Sequence, residues 1–355
     1  MIKTTFVLLL YLFLTIFSFY APVSIKGILA LLFMLIPLLV SYKTYVNNKK
    51  LLLYICFFLF VFYSMRLLNF RFSLAGFYLV SNIILAMHIY KSKFNLKLVK
   101  LSYALISSFY IFLACSGLPL DSFFIGTSRN LISVILLVFV GVIYILEYKV
   151  KESYSFWPLL PLIAISILAV GRGGIICSVL LLLCYFFSKL NNRKRIFLFV
   201  CAVSVMTIFL WENIVTLYDN LFAKTRFAAE GLASDERDIL FSIYMDNINL
   251  KTFFIGYDYY TDSFYRSLDY NAHNSYIRLH HFLGIFSLPI VFLLILSLFK
   301  LFKRDFFLCS LFLVLLLRGY VDNIYFFDKY DFILYTLVLI GLKDSTYENT
   351  IPAQI

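Results

Sequence analysis

The chain has 355 residues, 63% of them hydrophobic and 14% charged, with a mean hydropathy of +0.92. A soluble protein of this length hides its core behind a charged shell, and here there are too few charges to build one, so the bilayer is the expected solvent. The formal net charge of +12 invites a nucleic-acid reading, but that needs a basic face with a binding motif; the basic residues sit instead in the connections between apolar runs, and no nucleic-acid partner is expected.

In lipid each span must satisfy its own backbone, so helices are expected. The first apolar run, 5–20, follows Lys3 and has the outline of a signal peptide. No small-residue cleavage site follows it and many equally apolar runs do, so it reads as the first span. Further runs of roughly spanning length lie at 27–41, 51–65, 72–90, 101–115, 131–147, 156–170, 173–188, 196–211, 282–299, 306–320 and 331–342, the last being short. The expected fold is all-α and polytopic, with about twelve transmembrane helices. It divides into an N-terminal bundle of about nine spans over 1–211, an extracytoplasmic loop over 212–272, and C-terminal helices with a short cytoplasmic tail over 273–355. The six cysteines are scattered singly through the apolar runs, with no metal or disulfide spacing.

With both termini cytoplasmic, every second connection is cytoplasmic, and those connections carry YKTYVNNKK, YKSKFNLKLVK, EYKVKES, SKLNNRKR and KLFKRD. The positive-inside rule is met at each. Among the lysines only Lys26, Lys224, Lys251 and Lys329 then fall outside, whereas among the arginines only Arg193, Arg195 and Arg304 fall inside. Arginine is thus concentrated on the outer side against the topological bias, and the net charge is a topology signal. The expected location is the cytoplasmic membrane.

Three outer-side elements could carry chemistry. GRGG, Gly171 to Gly174, sits where the seventh and eighth spans meet. An arginine at the membrane boundary is costly unless solvated or paired. Either the glycines make a tight turn with Arg172 snorkelling to headgroups, or they admit a bulky ligand whose phosphate the guanidinium grips bidentately. In the long loop, DERDILFSIYMDNI has apolar positions near helical spacing, with Ser234 as a candidate N-cap; Arg237 there either pairs with neighbouring acids on a solvated face or joins a site. HNSYIRLHHFLGIF, from His273 to Phe286, brings polar residues into the tenth span. His273 at an outer helix start is a candidate general base, held neutral by the positive end of the helix. It also fits a plain interfacial histidine, while His273, His280 and His281 lack metal-ligand spacing for one helix face.

Together these motifs resemble the O-antigen polymerase and ligase superfamily (Wzy-like) of bacterial surface-polysaccharide synthesis. GRGG is similar to the family's S-R-G-G, with Gly171 in place of serine. SDERDILFSIYMDNINLKTFFIGYDY resembles its loop pattern of an arginine, an amphipathic helix and a terminal hydrophobic-Gly segment, which aligns Arg237 and Gly256; the family's common tryptophan is absent. His273 and Asn274, followed by nine residues and Gly284, resemble its H-N motif, with Ser287 in place of a second glycine. The match covers Gly171 to Ser287, about a third of the chain.

The resemblance implies a glycosyltransferase that uses two undecaprenyl-diphosphate-linked oligosaccharides, with no metal ion and no cofactor. It implies Arg172 and Arg237 as stabilisers of the leaving diphosphate and His273 as the base for the acceptor hydroxyl. Arg278 and Arg318 are candidates to line the diphosphate site, and Asn274 and Tyr257 to bind substrate. Tyr257, Tyr259, Tyr260 and Tyr276 could stack on sugars or form an interfacial aromatic belt. Arg66, Arg71 and Arg129 are further candidates for phosphate contact. Membrane lipid is an expected partner, and a chain-length regulator is one the reading allows. A ligase of the same superfamily and a lipid-linked glycan flippase are the competing expectations; the latter calls for internal repeats, broken helices and ionisable groups at mid-membrane.

Overall fold

The computed structural model describes residues 2–19, isolated positions between 25 and 36, 49–68, 73, 75–117, 130–169, 171–190, 235–268 and 270–343. Among these residues the chain is all-helical, with no strand. The helices are α1 (Ile2–Phe17), α2 (Lys49–Leu68), α3 (Ala75–Lys91), α4 (Leu96–Cys115), α5 (Asn130–Lys149), α6 (Leu159–Leu168), α7 (Arg172–Ser188), α8 (Asp235–Asp246), α9 (Leu250–Ile255), α10 (Ser263–Ser267), α11 (Ser275–Leu283), α12 (Ser287–Arg304), α13 (Phe306–Val321) and α14 (Asp331–Leu342). The apolar runs at 51–65, 101–115, 131–147, 173–188, 306–320 and 331–342 fall in helices, and those at 5–20, 72–90 and 156–170 contain helix over 5–17, 75–90 and 159–168. Most of 27–41, all of 196–211 and the first part of the long connection, 212–234 with Ser234, lie outside the described residues.

Among the described residues, three stretches are long and apolar enough to cross a membrane by length and composition: Leu96–Cys115, Leu131–Lys149 and Ser275–Arg304. Shorter apolar helices accompany them. The centre of the bundle is α5, buried along almost its whole length and packed against α4, α6, α7, α13 and α14. Its uniformly apolar sequence, NLISVILLVFVGVIYILEYK, suits a helix with neighbours on all sides. Helices α4 and α12 instead leave large apolar side chains exposed along one face, among them Leu101, Leu105, Phe109 and Phe112 on α4 and Leu288, Phe292, Ile295, Phe299 and Phe302 on α12. With no polar coat, such faces suit lipid.

The tenth apolar run, expected at 282–299, is interrupted. Helix α11 stops at Leu283, a short 3-10 turn covers Gly284–Phe286, and α12 begins at Ser287. Residues 235–272, expected as loop with one helix-like opening, carry α8, α9 and α10 around their own apolar cluster of Leu240, Tyr244, Tyr259, Tyr265 and Ala272, shared with Ile277 of α11. This cap is therefore built on the start of α11.

Helix α14 has 12 residues, about 18 Å at the usual rise, too short to span a bilayer core alone. Non-helical chain from Asp322 to Tyr330 precedes it, reaching the middle of α1 and α3. Tyr11 donates to the Lys329 carbonyl at 2.9 Å, Asn82 donates to the Asp328 carbonyl at 2.6 Å, and Phe332 N–H donates to Asn82 Oδ1 at 2.9 Å. Backbone groups this deep need internal partners. Asp331 supplies them, accepting from the N–H groups of Phe326 (2.7 Å), Phe327 (2.6 Å) and Asp328 (3.2 Å). That clasp holds Phe326 and Phe327 in the left-handed region, at φ 59° and 69°, where bulky residues are rarely found.

Candidate functional site

The H-N turn is fixed from both sides. Asn274 is the N-cap of α11, its Oδ1 accepting from the N–H groups of Tyr276 (2.8 Å) and Ile277 (3.3 Å), two of the donors a helix start leaves without partners. His273 precedes the cap at φ 48°, its own N–H donating to Asn271 Oδ1 at 3.0 Å. Buried Ser275 donates to the Asp322 carbonyl at 2.7 Å and accepts from Ile324 N–H (3.0 Å) and Tyr325 N–H (3.1 Å). Tyr276 donates to the Leu316 carbonyl at 3.1 Å. The turn that presents His273 is thus tied to the end of α13 and the chain after it.

The GRGG segment meets the same place. Helix α7 starts at Arg172 with Gly171 as an extended N-cap that offers no side-chain oxygen. A Cβ on Gly173 would fall on Nη1 of Arg318, so any larger residue there would push the guanidinium from its place. Arg318 is fully buried and pairs with Asp322 at 2.7 Å. A chain of contacts therefore runs from Gly173 through Arg318 and Asp322 to Ser275, joining two motifs about a hundred residues apart in sequence. The Arg172 side chain lies outside the described residues, as do Arg71 and Arg129.

The third motif arrives with the cap. Arg237 lies half-buried on the first turn of α8, one turn before Leu240 and two before Tyr244, which face the cap's interior. Tyr265 donates to the Leu240 carbonyl at 2.7 Å and stacks on Tyr259 with ring centroids 4.6 Å apart. Burial pushes the phenols of Tyr244, Tyr259 and Tyr265 well above their ordinary value, so the cluster is uncharged at physiological pH. Tyr259, Tyr265 and Tyr244 are core, while Tyr257, Tyr260 and Tyr276 are only half-buried. Helix α9 is closed by a capping box between Asn249 and Thr252. After it Gly256, at φ 85°, lies so close to α11 that a Cβ would stand 2.5 Å from the His280 carbonyl oxygen and 2.6 Å from that of His281. Gly284, at φ 52°, answers it: a Cβ there would strike the Phe254 carbonyl. The two motif glycines meet backbone to backbone and dock the cap onto the break before α12.

The structure separates the three neighbouring histidines. His280 accepts at Nδ1 from the Tyr244 hydroxyl (2.7 Å) and donates from Nε2 to the Phe253 carbonyl (3.1 Å). His281, fully buried, donates from Nδ1 to the Tyr257 carbonyl (2.8 Å) and accepts at Nε2 from Arg66 (3.0 Å), itself buried and over the Phe282 ring. In both, a backbone carbonyl fixes the tautomer and the second nitrogen is also bonded. They pin the cap to α11 and α2. His273 sits half-buried at the turn instead.

Arg278 donates to Asp328 at 2.7 Å and to the Phe327 carbonyl at 2.9 Å, so the guanidinium holds the deep segment after α13. Like Arg318, it reaches the site through an ion pair already formed. Sequence reasoning missed the partners, Asp322, Asp328 and Asp331 with Asn82. A signal was present: VDNIYFFDKYD puts three aspartates between two apolar runs, and carboxylates at such a place require cations nearby.

Among the described residues no group of three histidine, cysteine or acidic side chains converges as a metal site. No family model matches the sequence, and no curated protein or solved structure is similar to it.

Proposed function

We propose that this chain is a membrane-bound polysaccharide polymerase that joins undecaprenyl-diphosphate-linked oligosaccharides on the outer face of the bacterial cytoplasmic membrane. One observation carries the reading: the three motif segments, distant in sequence, pack into one end of the bundle through Gly173, Arg318, Asp322 and Ser275 on one side and through Gly256 and Gly284 on the other.

In this reading the acceptor sugar hydroxyl attacks the anomeric carbon of the donor as the carbon–oxygen bond to the lipid diphosphate breaks. His273 takes the hydroxyl proton, and the diphosphate leaves with the bonding electrons. Arg172 and Arg237 stabilise the charge that develops there, a kind of contact whose removal typically costs about 3 kcal/mol, or roughly a hundredfold in rate or more. Arg278 and Arg318, tied to Asp328 and Asp322, hold the walls of the site, with Asn274 keeping the helix start and Tyr257 in reach for sugar contact. No metal or cofactor takes part. A ligase would use the same groups with a different acceptor.

Complementation of a deletion strain tests this. Arg172→Ala and Arg237→Ala at normal membrane levels are expected to leave single repeat units on the surface glycan gel, and full-length ladders from both would reject the site. The deep non-helical segment after α13, with buried Asn82 and Asp331 and half-buried Arg278, favours a second reading as a lipid-linked glycan transporter. Repeat units trapped on the inner face of the deletion strain would move the assignment there.

A further inference from the structure

The cap carries an apolar face that its own core does not use. On α8, Phe241 and Met245 are four residues apart, hence on one side of the helix, and both are exposed. On α9, Leu250 (79% exposed), Phe253 and Phe254 (47%) repeat the pattern at spacings of three and four. Helix α8 keeps Leu240 and Tyr244 for the interior, whereas α9 buries none of its residues. His280 joins the two helices, bonded to Tyr244 of one and Phe253 of the other.

The position of α12 indicates what covers this face. Helix α12 has 18 residues, about 27 Å at the usual rise, which matches the roughly 30 Å hydrocarbon core of a bilayer. Lys303 and Arg304 end it on one side, so Ser287 stands near the other boundary. Gly284 is one turn beyond, at headgroup level, and there the backbone of α9 touches it. Helix α9 thus packs on the turn that carries exposed Phe286 and leads into exposed Leu288 and Phe292 of α12. Lys251, exposed beside them, provides a cation suited to the headgroups.

We infer that Phe241, Met245, Leu250, Phe253 and Phe254 are buried in the interfacial layer of the leaflet that borders the start of α12, making the cap a membrane-surface module lying in lipid. Amphipathic helices of this kind sink about 5–10 Å into the headgroup and acyl boundary. The inference rests on the reading that α12 crosses a bilayer, and it is independent of the chemistry at His273.

Depth-dependent quenching tests it. The full chain is reconstituted in phosphatidylcholine–phosphatidylglycerol vesicles whose acyl chains carry bromine either near the headgroup or near the methyl end. Tryptophan is introduced as Phe254→Trp or Phe241→Trp in the cap and Phe292→Trp in α12, with the emission of the parent chain, from Trp157 and Trp211, subtracted. The cap tryptophans should lose roughly half their emission to shallow bromine and less to deep bromine, and the Phe292→Trp probe should show the opposite order. Quenching of the α12 probe alone, with the cap probes open to aqueous iodide, overturns the inference while leaving the span intact. Cap probes shielded from both quenchers also overturn it, in favour of a protein such as a second copy. No lipid quenching at any position rejects the span and the inference together.

Discussion

The two ends of the bundle handle positive charge in opposite ways. At one end, where α3 meets α4, α5 meets α6 and α12 meets α13, lysines stand at the rim: Lys91, Lys93, Lys97, Lys151 and Lys303 are exposed. The buried polar groups there close helix ends, as when Glu147 takes Lys100 at 2.7 Å and Ser155 N–H at 3.0 Å, or Tyr154 donates to Asp305 at 2.7 Å. At the other end the enclosed cations are arginines, Arg66 and Arg318 almost entirely so. Arg66 reaches His281 Nε2 at 3.0 Å and Arg318 pairs with Asp322 at 2.7 Å, so each ties one segment to another. A compact ammonium is strongly hydrated and stays at the surface, whereas a planar, weakly hydrated guanidinium can be buried and serve several acceptors at once. One end therefore keeps its charge at the surface and the other builds with it.

The difference should be largest at Arg278. Arg278→Ala leaves the partly buried Asp328 carboxylate and the Phe327 carbonyl without their cation, a class of change that costs about 3–5 kcal/mol. A large fall in melting temperature in detergent and low membrane levels are expected. Arg278→Lys should recover only part, because one ammonium cannot reproduce the planar fork. Removing both partners, with Asp328→Ala added, should cost less than the single change. If the double variant melts lower still, the pair is not what holds the segment.

Next comes the contact that seats the cap. Gly284→Ala places a methyl on the Phe254 carbonyl at a backbone angle that favours glycine, and about 1–3 kcal/mol of strain is expected. The strain falls on the docking of 235–268, so limited proteolysis should cut the cap faster while the bundle melts nearly as before. Equal loss in both would mean that the cap and the bundle fold as one unit.

How much of this the sequence disclosed follows from the range of the interactions. Hydropathy located α2 to α7 and α13 because each buries or exposes apolar side chains along its own length. It also located α14 without showing that the chain before it descends to Asn82, since that depth depends on partners on α1 and α3. Gly256 and Gly284 were legible as motif positions but not as a pair. Spacing argues against His280 and His281 as metal ligands but does not show what they do, which the Phe253 and Tyr257 carbonyls decide by setting their tautomers. Arg278 and Arg318 read as candidates to line the diphosphate site without their ion pairs, because Asp328 and Asp322 lie fifty and four residues on, and only the second distance is visible as helical spacing.

At the lysine-rich end a matching truncation should do little. Lys303 lies over the Phe299 ring at 4.3 Å and is exposed, so Lys303→Ala should cost about 0.5 kcal/mol. A melting shift comparable to that of Arg278→Ala would erase the contrast between the ends.

The smallest effect on stability and the largest on activity are expected at the same residue. His273 is half-buried and its backbone sits at φ 48°, a conformation that asparagine adopts more readily than most residues. His273→Asn therefore keeps the turn, the Asn274 cap and the tie of Ser275 to Asp322, and should alter the melting temperature by no more than about 0.5 kcal/mol would. In the proposed reading it removes the group that takes the acceptor proton, and a lost general base costs roughly a hundredfold in rate or more. Polymerisation by the purified chain from lipid-linked repeat units reads this directly. His281→Gln, by contrast, should melt lower because both nitrogens are bonded, and should lose activity only in proportion to folded protein. A His273→Asn chain that polymerises at the parent rate would leave the acceptor proton to another group and return His273 to a structural role at the turn.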